Sequence, residues 1–114
     1  MRILIGDDDA ELRNSLERAL RKYETDSAET PEQAIEKIKT EKYEILITDL
    51  QYTESGREGY EVLRQAIPYI NVRILFSGLG SEKSVIEKAK EAGATHIVSK
   101  TNSSKLLQII HSYE

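Results

Sequence analysis

The chain lacks several residue types on which common functional classes depend. It contains no cysteine, which excludes a disulfide framework, a thiolate metal site and a cysteine nucleophile. Its two histidines, His96 and His111, are too few for a histidine-rich metal site. No apolar run approaches the ~20 residues of a membrane span, and the N-terminus lacks the layout of a signal peptide. We therefore expect a cytoplasmic protein that is not inserted in a membrane.

Basic residues are outnumbered by acidic ones. The sequence has 16 lysines and arginines against 20 aspartates and glutamates, and its net charge at pH 7 is −4. Because no basic patch stands out, we expect no direct binding to nucleic acid. The 114 residues, of which 39% are hydrophobic, are enough for one domain with its own core.

Short apolar runs alternate with amphipathic helical patterns along the chain. These runs are rich in Ile, Leu and Val, as is typical of strands buried on both faces of a parallel sheet. They cover residues 3–5, 45–47, 72–76 and 97–98. A more polar strand near residues 26–29 is expected at a sheet edge. Five such strands, each followed by a helix, predict an α/β fold with a doubly wound parallel sheet.

Several residues indicate where the helices begin and end. Small polar side chains at a helix start can cap the free backbone amides, and glycine commonly follows a helix end. The predicted signals are Asp9 for the first helix, Thr30 with Gln33 for the second, Ser55 with Glu58 for the third, and Gly93 after the fourth. The last helix is expected to carry Leu106, Leu107, Ile110 and Tyr113.

Polar side chains gather where the predicted strands end. Four of the five aspartates in the chain follow strand one or strand three. In open parallel sheets, ligands bind beyond the carboxyl ends of the strands, so these positions form one candidate site. Its residues are Asp7, Asp8 and Asp9 after strand one, Asp49 after strand three, Ser77 at the end of strand four and Lys100 after strand five.

This set of side chains favours phosphoryl chemistry assisted by a metal. Clustered carboxylates repel one another, and Mg²⁺, which prefers oxygen ligands, relieves that repulsion. With Mg²⁺ present, Asp49 is a suitable carboxylate nucleophile for phosphorus. Lys100 and the Ser77 hydroxyl would then neutralise oxygens of the transferred group. Simpler roles stay open: Lys100 as the salt-bridge partner of Asp49, Ser77 as a turn residue, and Asp9 as a helix cap.

Four segments in this order and spacing resemble the receiver domain of two-component response regulators. They are residues 3–9 (ILIGDDD), 45–49 (ILITD), 74–78 (ILFSG) and 92–94 (AGA) followed by Lys100. The resemblance implies a CheY-like, flavodoxin-like fold with five parallel strands in the order 2-1-3-4-5 and five helices. It also implies that Asp49 accepts the phosphoryl group, with Ser77 and Lys100 contacting the phosphate. The implied Mg²⁺ ligands are Asp7, Asp8, Asp49 and the backbone carbonyl of Gln51.

The resemblance further implies how such a protein is used. We expect residues 1–114 to form a single, stand-alone receiver domain without an output domain. Its phosphohistidine donor would be a sensor histidine kinase or a histidine phosphotransfer protein, and its output would be contact with an unidentified downstream protein. It would be a monomer or a weak dimer. We expect no enzymatic activity beyond its own phosphorylation and dephosphorylation.

The sequence departs from the family pattern in ways that make it somewhat atypical. Thr101 follows Lys100 in place of a proline, and we expect a trans bond there because a cis bond before threonine costs about 3 to 4 kcal/mol. Ile97 replaces the aromatic residue that often takes part in switching. Ser77 replaces the commoner threonine. The loop over residues 50–59 has no proline and is about two residues longer than usual, so we expect it to be more mobile.

Three side chains of that loop, Tyr52, Glu54 and Arg57, are candidates to reach the site or a partner. The departures leave open an alternative function, a pseudo-receiver that binds partners without phosphorylation. A flavin- or nucleotide-binding protein of the same fold class is disfavoured by the first loop. A phosphate-binding loop needs glycines and free amides, whereas this loop presents three carboxylates.

Overall fold

The computed structural model describes residues 1–114. Five strands alternate with five helices of 9 or 10 residues. In chain order they are β1 (Arg2–Gly6), α1 (Ala10–Ala19), β2 (Glu24–Ala28), α2 (Pro31–Thr40), β3 (Ile45–Thr48), α3 (Glu58–Ala66), β4 (Val72–Ser77), α4 (Lys83–Glu91), β5 (His96–Ser99) and α5 (Ser103–His111). None of the helices has the length and apolar character needed to cross a membrane.

All five strands pair in parallel, in the order β2-β1-β3-β4-β5. This confirms the predicted fold class and strand order. The polar strand β2 lies at an edge, as expected, although it starts at Glu24, earlier than predicted. The acidic side chains of β2 are neutralised by Arg2 of the neighbouring strand β1. The Arg2 guanidinium lies 2.7 Å from an Asp26 carboxylate oxygen and 3.2 Å from one of Glu24.

The core is divided between the two faces of the sheet. Successive residues of a strand point to opposite faces, and the buried strands supply apolar side chains to both. Leu4 and Leu46 pack in a cluster with residues of α2, α3 and α4. Ile3 and Ile47 pack in a second cluster with residues of α1 and α5. Burial on both faces accounts for the continuous apolar runs in the sequence.

The predicted helix signals are confirmed at three of the four helices. Asp9 caps α1, since its side chain accepts hydrogen bonds from the amides of residues 11 and 12. Thr30 Oγ1 accepts from the Gln33 amide at 3.1 Å, and the Gln33 side chain accepts in turn from the Glu29 amide at 3.0 Å. Gly93 follows α4 with a φ of 102°, a left-handed conformation that glycine adopts without strain.

Two of the helix predictions are wrong. Helix α3 begins at Glu58 with Arg57 at its cap position, and no side chain caps it. The Glu58 carboxylate cannot act with Ser55 as predicted, because it accepts hydrogen bonds from Tyr52 and Thr53 of the preceding loop. At the other end of the chain, α5 ends at His111. Tyr113 therefore lies beyond the helix and is 45% exposed.

Candidate functional site

The parallel sheet brings the predicted acidic residues together at one edge. Gly6 of β1 is in register with Thr48 of β3, so Asp7 and Asp49 follow neighbouring strands at the same level. The amide of Asp49 donates to the Gly6 carbonyl at 2.8 Å. One carboxylate oxygen from each of Asp7, Asp8 and Asp49 lies within 4.8 Å of the other two. This group is called the acidic cluster below.

Burial differs sharply within the acidic cluster. Asp7 and Asp49 are 2% and 7% exposed, whereas Asp8 is exposed to solvent. Lys100 Nζ lies 2.9 Å from Asp7 Oδ2 and 3.4 Å from Asp49 Oδ2. One ammonium group thus pairs with two of the three carboxylates of the acidic cluster. The predicted salt bridge between Lys100 and Asp49 is present, and Lys100 also pairs with Asp7.

The surplus of negative charge changes the acidities of these groups. Burial, followed by repulsion from Asp7, raises the pKa of Asp49 from its ordinary 3.8 to about 6, although Lys100 opposes the shift. Burial and the neighbouring Asp7 also raise the pKa of Asp8. For Lys100, burial acts to lower the pKa, but the hydrogen bond to Asp7 and the charge of Asp49 outweigh it and raise the pKa. Lys100 is therefore a fixed positive charge.

Backbone amides hold the two buried carboxylates in place. Asp49 Oδ1 accepts from the Leu50 amide at 2.8 Å, and Asp7 Oδ1 accepts from the Asp9 amide at 2.9 Å. In both residues the second oxygen, Oδ2, is the one that faces Lys100. One oxygen of each buried carboxylate thus has an amide partner. The Asp9 side chain serves the helix cap and not the acidic cluster.

Ser77 reaches the same edge of the sheet but does not bond to the acidic cluster. It is 2% exposed at the end of β4. Its hydroxyl accepts a hydrogen bond from the Leu79 amide at 3.1 Å, and its carbonyl accepts from the Lys100 amide at 3.0 Å. In this structure Ser77 therefore acts as a turn residue. Because the Ser77 hydroxyl only accepts a hydrogen bond in this turn, its own hydrogen is still available for donation.

Gln51, the predicted source of a carbonyl ligand, lies in the loop directly after Asp49. Its side chain is half-buried and donates to the Glu54 carbonyl at 3.3 Å. Its own carbonyl oxygen accepts no hydrogen bond from the protein. A carbonyl without a protein partner is available as an oxygen ligand.

Of the three loop side chains named as candidates to reach the site or a partner, Tyr52 is the one that packs beside the site. Glu54 and Arg57 are exposed. Tyr52 is 5% exposed, and its hydroxyl lies 2.8 Å from Thr48 Oγ1, on the residue before Asp49. Burial raises the pKa of Tyr52, so the phenol stays protonated. Thr48 was not among the predicted site residues. Gly6 was the available signal that a side chain packs at this point, because a glycine within a strand often marks a close approach by another group.

The departure after Lys100 takes the predicted form. No peptide bond in the chain is cis, so the bond between Lys100 and Thr101 is trans. The Thr101 hydroxyl and amide both pair with the Ser99 hydroxyl, at 2.9 and 3.3 Å. Ile97, in the position expected for an aromatic residue, is half-buried and packs against the core cluster of Leu4 and Leu46.

Solved structures with the same fold include response regulators. A CheY-like receiver domain protein from Methanospirillum hungatei is 27% identical, with a TM-score of 0.83 over 98% of this chain and 91% of its own. The protein TrrA from Thermotoga maritima, in complex with Mg²⁺–BeF, is 25% identical, with a TM-score of 0.77 over 97% and 96%. A Burkholderia pseudomallei response regulator with a phosphorylated aspartic acid, calcium and citrate is 19% identical, with a TM-score of 0.79 over 94% and 71%.

The family comparison agrees with the structural one. Among curated proteins, no sequence matches the chain. A family model described as the response regulator receiver domain matches residues 3–111. That match runs from the second residue of β1 to the last residue of α5, so it contains every element that positions the acidic cluster. The chain belongs to the family of response regulator receiver domains.

Proposed function

We propose that this receiver domain accepts a phosphoryl group on Asp49, with Mg²⁺ bound to the acidic cluster. The donor is a phosphohistidine on a sensor histidine kinase or a histidine phosphotransfer protein. The phosphorylated domain then acts by contact with a downstream protein. The observation that carries the proposal is the buried Asp49 carboxylate, which lies close to two further carboxylates and to the Lys100 ammonium at the carboxyl edge of the sheet.

The acidic cluster fits a hard divalent cation. Its carboxylate oxygens already converge within 4.8 Å, and Lys100 alone does not balance their charge. Asp7, Asp8 and Asp49, with the unbonded carbonyl of Gln51, offer only oxygen, the donor that Mg²⁺ prefers. The relative from T. maritima, at 25% identity, is described with Mg²⁺–BeF bound. When bound, Mg²⁺ would offset the charge of the carboxylates and of the incoming phosphoryl oxygens.

Each protein group has a defined part in the transfer. An oxygen of ionised Asp49 attacks phosphorus, the bond between phosphorus and the imidazole nitrogen breaks, and its electron pair leaves with that nitrogen. The product is an acyl phosphate on Asp49. Lys100 neutralises a phosphoryl oxygen as its pairing with Asp49 is replaced. The Ser77 hydroxyl donates a hydrogen bond to a second phosphoryl oxygen, since its hydrogen has no acceptor in the turn.

The proposal is tested by transfer from a phosphorylated histidine kinase. We expect label to move to the wild-type chain in the presence of Mg²⁺ and to be absent with a chelator. Asp49→Asn should take up no label, because an amide is not a nucleophile for phosphorus. Asp9→Asn is the matched control, since the Asp9 side chain serves only the cap of α1 and the substitution keeps the backbone amide that bonds to Asp7; it should accept label as the wild type does. If label reaches neither the wild type nor the control, the phosphorylation-independent binding module becomes the better account.

A further inference from the structure

The ring of Tyr52 fills a space that exists because residue 6 has no side chain. A Cβ built on Gly6 would lie 2.0 Å from the Tyr52 hydroxyl oxygen and 3.2 Å from the ring carbon that carries it. The first distance is far below any ordinary contact. Gly6 also directly precedes Asp7 of the acidic cluster. Gly6, at the end of β1, and Tyr52, in the loop after β3, are therefore complementary in size.

The hydrogen bonds of the Tyr52 hydroxyl have a defined direction. Thr48 Oγ1 lies 2.9 Å from the Asp49 carbonyl oxygen, which can only accept, so the single hydrogen of the threonine hydroxyl is used there. Tyr52 must then donate to Thr48 Oγ1, at 2.8 Å. The order of donation is Tyr52 to Thr48 to the Asp49 carbonyl. The phenol is thus linked through one hydroxyl to the backbone of the phosphoacceptor.

The same anchoring fixes the backbone around Gln51. On one side, the Leu50 carbonyl accepts from the Gly59 amide at 2.8 Å. On the other side, the Tyr52 amide donates to Glu58 Oε1 at 3.2 Å, and the Tyr52 hydroxyl lies beside Gly6 of β1 and Thr48 of β3. Gln51 therefore lies between two fixed residues. Its carbonyl has no hydrogen bond of its own, so its orientation depends on these neighbours.

We propose that Tyr52 is a positioning residue, which lies beside Gly6 and fixes the Gln51 carbonyl and Asp49 for metal binding and phosphoryl transfer. The inference rests on the proposed function and names a residue on which that function depends. Loops without proline have more conformations to lose on ordering. In this chain, one buried side chain with a hydrogen bond to the neighbouring strand supplies the missing restraint.

The first test compares Tyr52→Phe with Tyr60→Phe. The control fits because Tyr60 is also buried but its hydroxyl makes no hydrogen bond with the protein. Mg²⁺ affinity is measured by titration calorimetry, and the rate constant of phosphoryl uptake is measured with a small-molecule phosphodonor. We expect Tyr52→Phe to weaken Mg²⁺ binding about fivefold, as for the loss of one hydrogen bond, and to lower that rate constant. Tyr60→Phe should change neither, and amide exchange should quicken over residues 50–53 in Tyr52→Phe only.

The second test uses the steric match. Gly6→Ala should weaken Mg²⁺ binding, because the new methyl group displaces the Tyr52 hydroxyl. Adding Tyr52→Phe removes the atom at 2.0 Å and leaves a contact of 3.2 Å. The double variant should therefore bind Mg²⁺ more tightly than Gly6→Ala alone, a non-additive result that independent sites do not give.

The outcomes separate the inference from the proposed function. A wild type that binds no Mg²⁺ and accepts no phosphoryl group overturns the proposed function, and with it the metal role of Tyr52. A wild type that does both, with Tyr52→Phe unchanged in Mg²⁺ affinity, in the rate constant of phosphoryl uptake and in amide exchange, overturns the inference alone. Gly6→Ala and the double variant binding Mg²⁺ equally weakly would also overturn it.

Discussion

Replacing Asp49 by asparagine should make the metal-free protein more stable at neutral pH. The Asp49 carboxylate is 7% exposed and stands next to Asp7 with one shared counter-charge. Burial and repulsion raise its pKa to about 6, so the folded state resists its ionisation. Asparagine has nearly the same shape, still accepts from the Leu50 amide, and carries no charge.

The size of the expected stabilisation follows from the shift in the pKa of Asp49. A rise from 3.8 to about 6 corresponds to about 3 kcal/mol, at about 1.36 kcal/mol for each pKa unit. Because the folded-state pKa of Asp49 is the higher one, the folded protein holds the extra proton. Its free energy of unfolding therefore falls as the pH rises between about 4 and about 6. Above that pH range Asp49 of the wild type is fully ionised, and the full free-energy cost of burying its charge lowers the stability. Asp49→Asn should there be about 3 kcal/mol more stable than the wild type.

The measurement is urea unfolding of the wild type, Asp49→Asn and Asp9→Asn in the presence of a chelator, across this pH range. Asp9→Asn should stay within about 0.5 kcal/mol of the wild type at every pH, because asparagine caps a helix as well as aspartate. The gain for Asp49→Asn should grow as the pH rises and shrink when Mg²⁺ is added. An Asp49→Asn protein that is less stable than the wild type near pH 7.5 would refute the reasoning.

Three further substitutions test other contacts of the site. Lys100→Met should reduce the free energy of unfolding more near pH 7.5, where Asp49 is ionised, than near pH 5, where Asp49 is largely protonated. Equal losses at the two pH values, measured by urea titration, would contradict this. Gly59→Ala should cost about 1 to 3 kcal/mol, since its Cβ would lie 2.1 Å from the Asp49 carbonyl oxygen, whereas Gly78→Ala, with nothing within 4 Å, should unfold like the wild type. Ser77→Ala should slow phosphoryl uptake about tenfold or more and Ser77→Thr should not; unchanged uptake in the alanine variant would exclude the assigned role.

The fold was predictable because the sheet is buried on both faces. Each central strand needs a nearly continuous apolar run, and such runs at 3–5, 45–47 and 72–76, the last interrupted only by Arg73, are visible without any structure. The acidic cluster was predictable for a related reason. Parallel strands place their carboxyl ends at one edge, so Asp7 and Asp49 had to meet once the strand order was given.

The loop after Asp49 was not predictable in the same way. Ser55 and Glu58 have the spacing of a capping pair, but the Glu58 carboxylate is used by the amide of Tyr52 and the hydroxyl of Thr53. Which donors reach a carboxylate depends on the path of the loop, and that path depends on the Tyr52 ring packing beside Gly6. A contact between a loop and a distant strand leaves no local periodicity in the sequence.

The central claim is that Asp49 accepts a phosphoryl group with the help of a divalent cation. Intact-mass spectrometry of the chain with a small-molecule phosphodonor and Mg²⁺, beside Asp49→Asn and a sample with chelator, tests it most directly. The account predicts one added phosphoryl group in the wild type and none in either control. Two results would contradict it. One is a wild type that stays unmodified and shows no Mg²⁺ binding by calorimetry, and the other is addition of a phosphoryl group to Asp49→Asn.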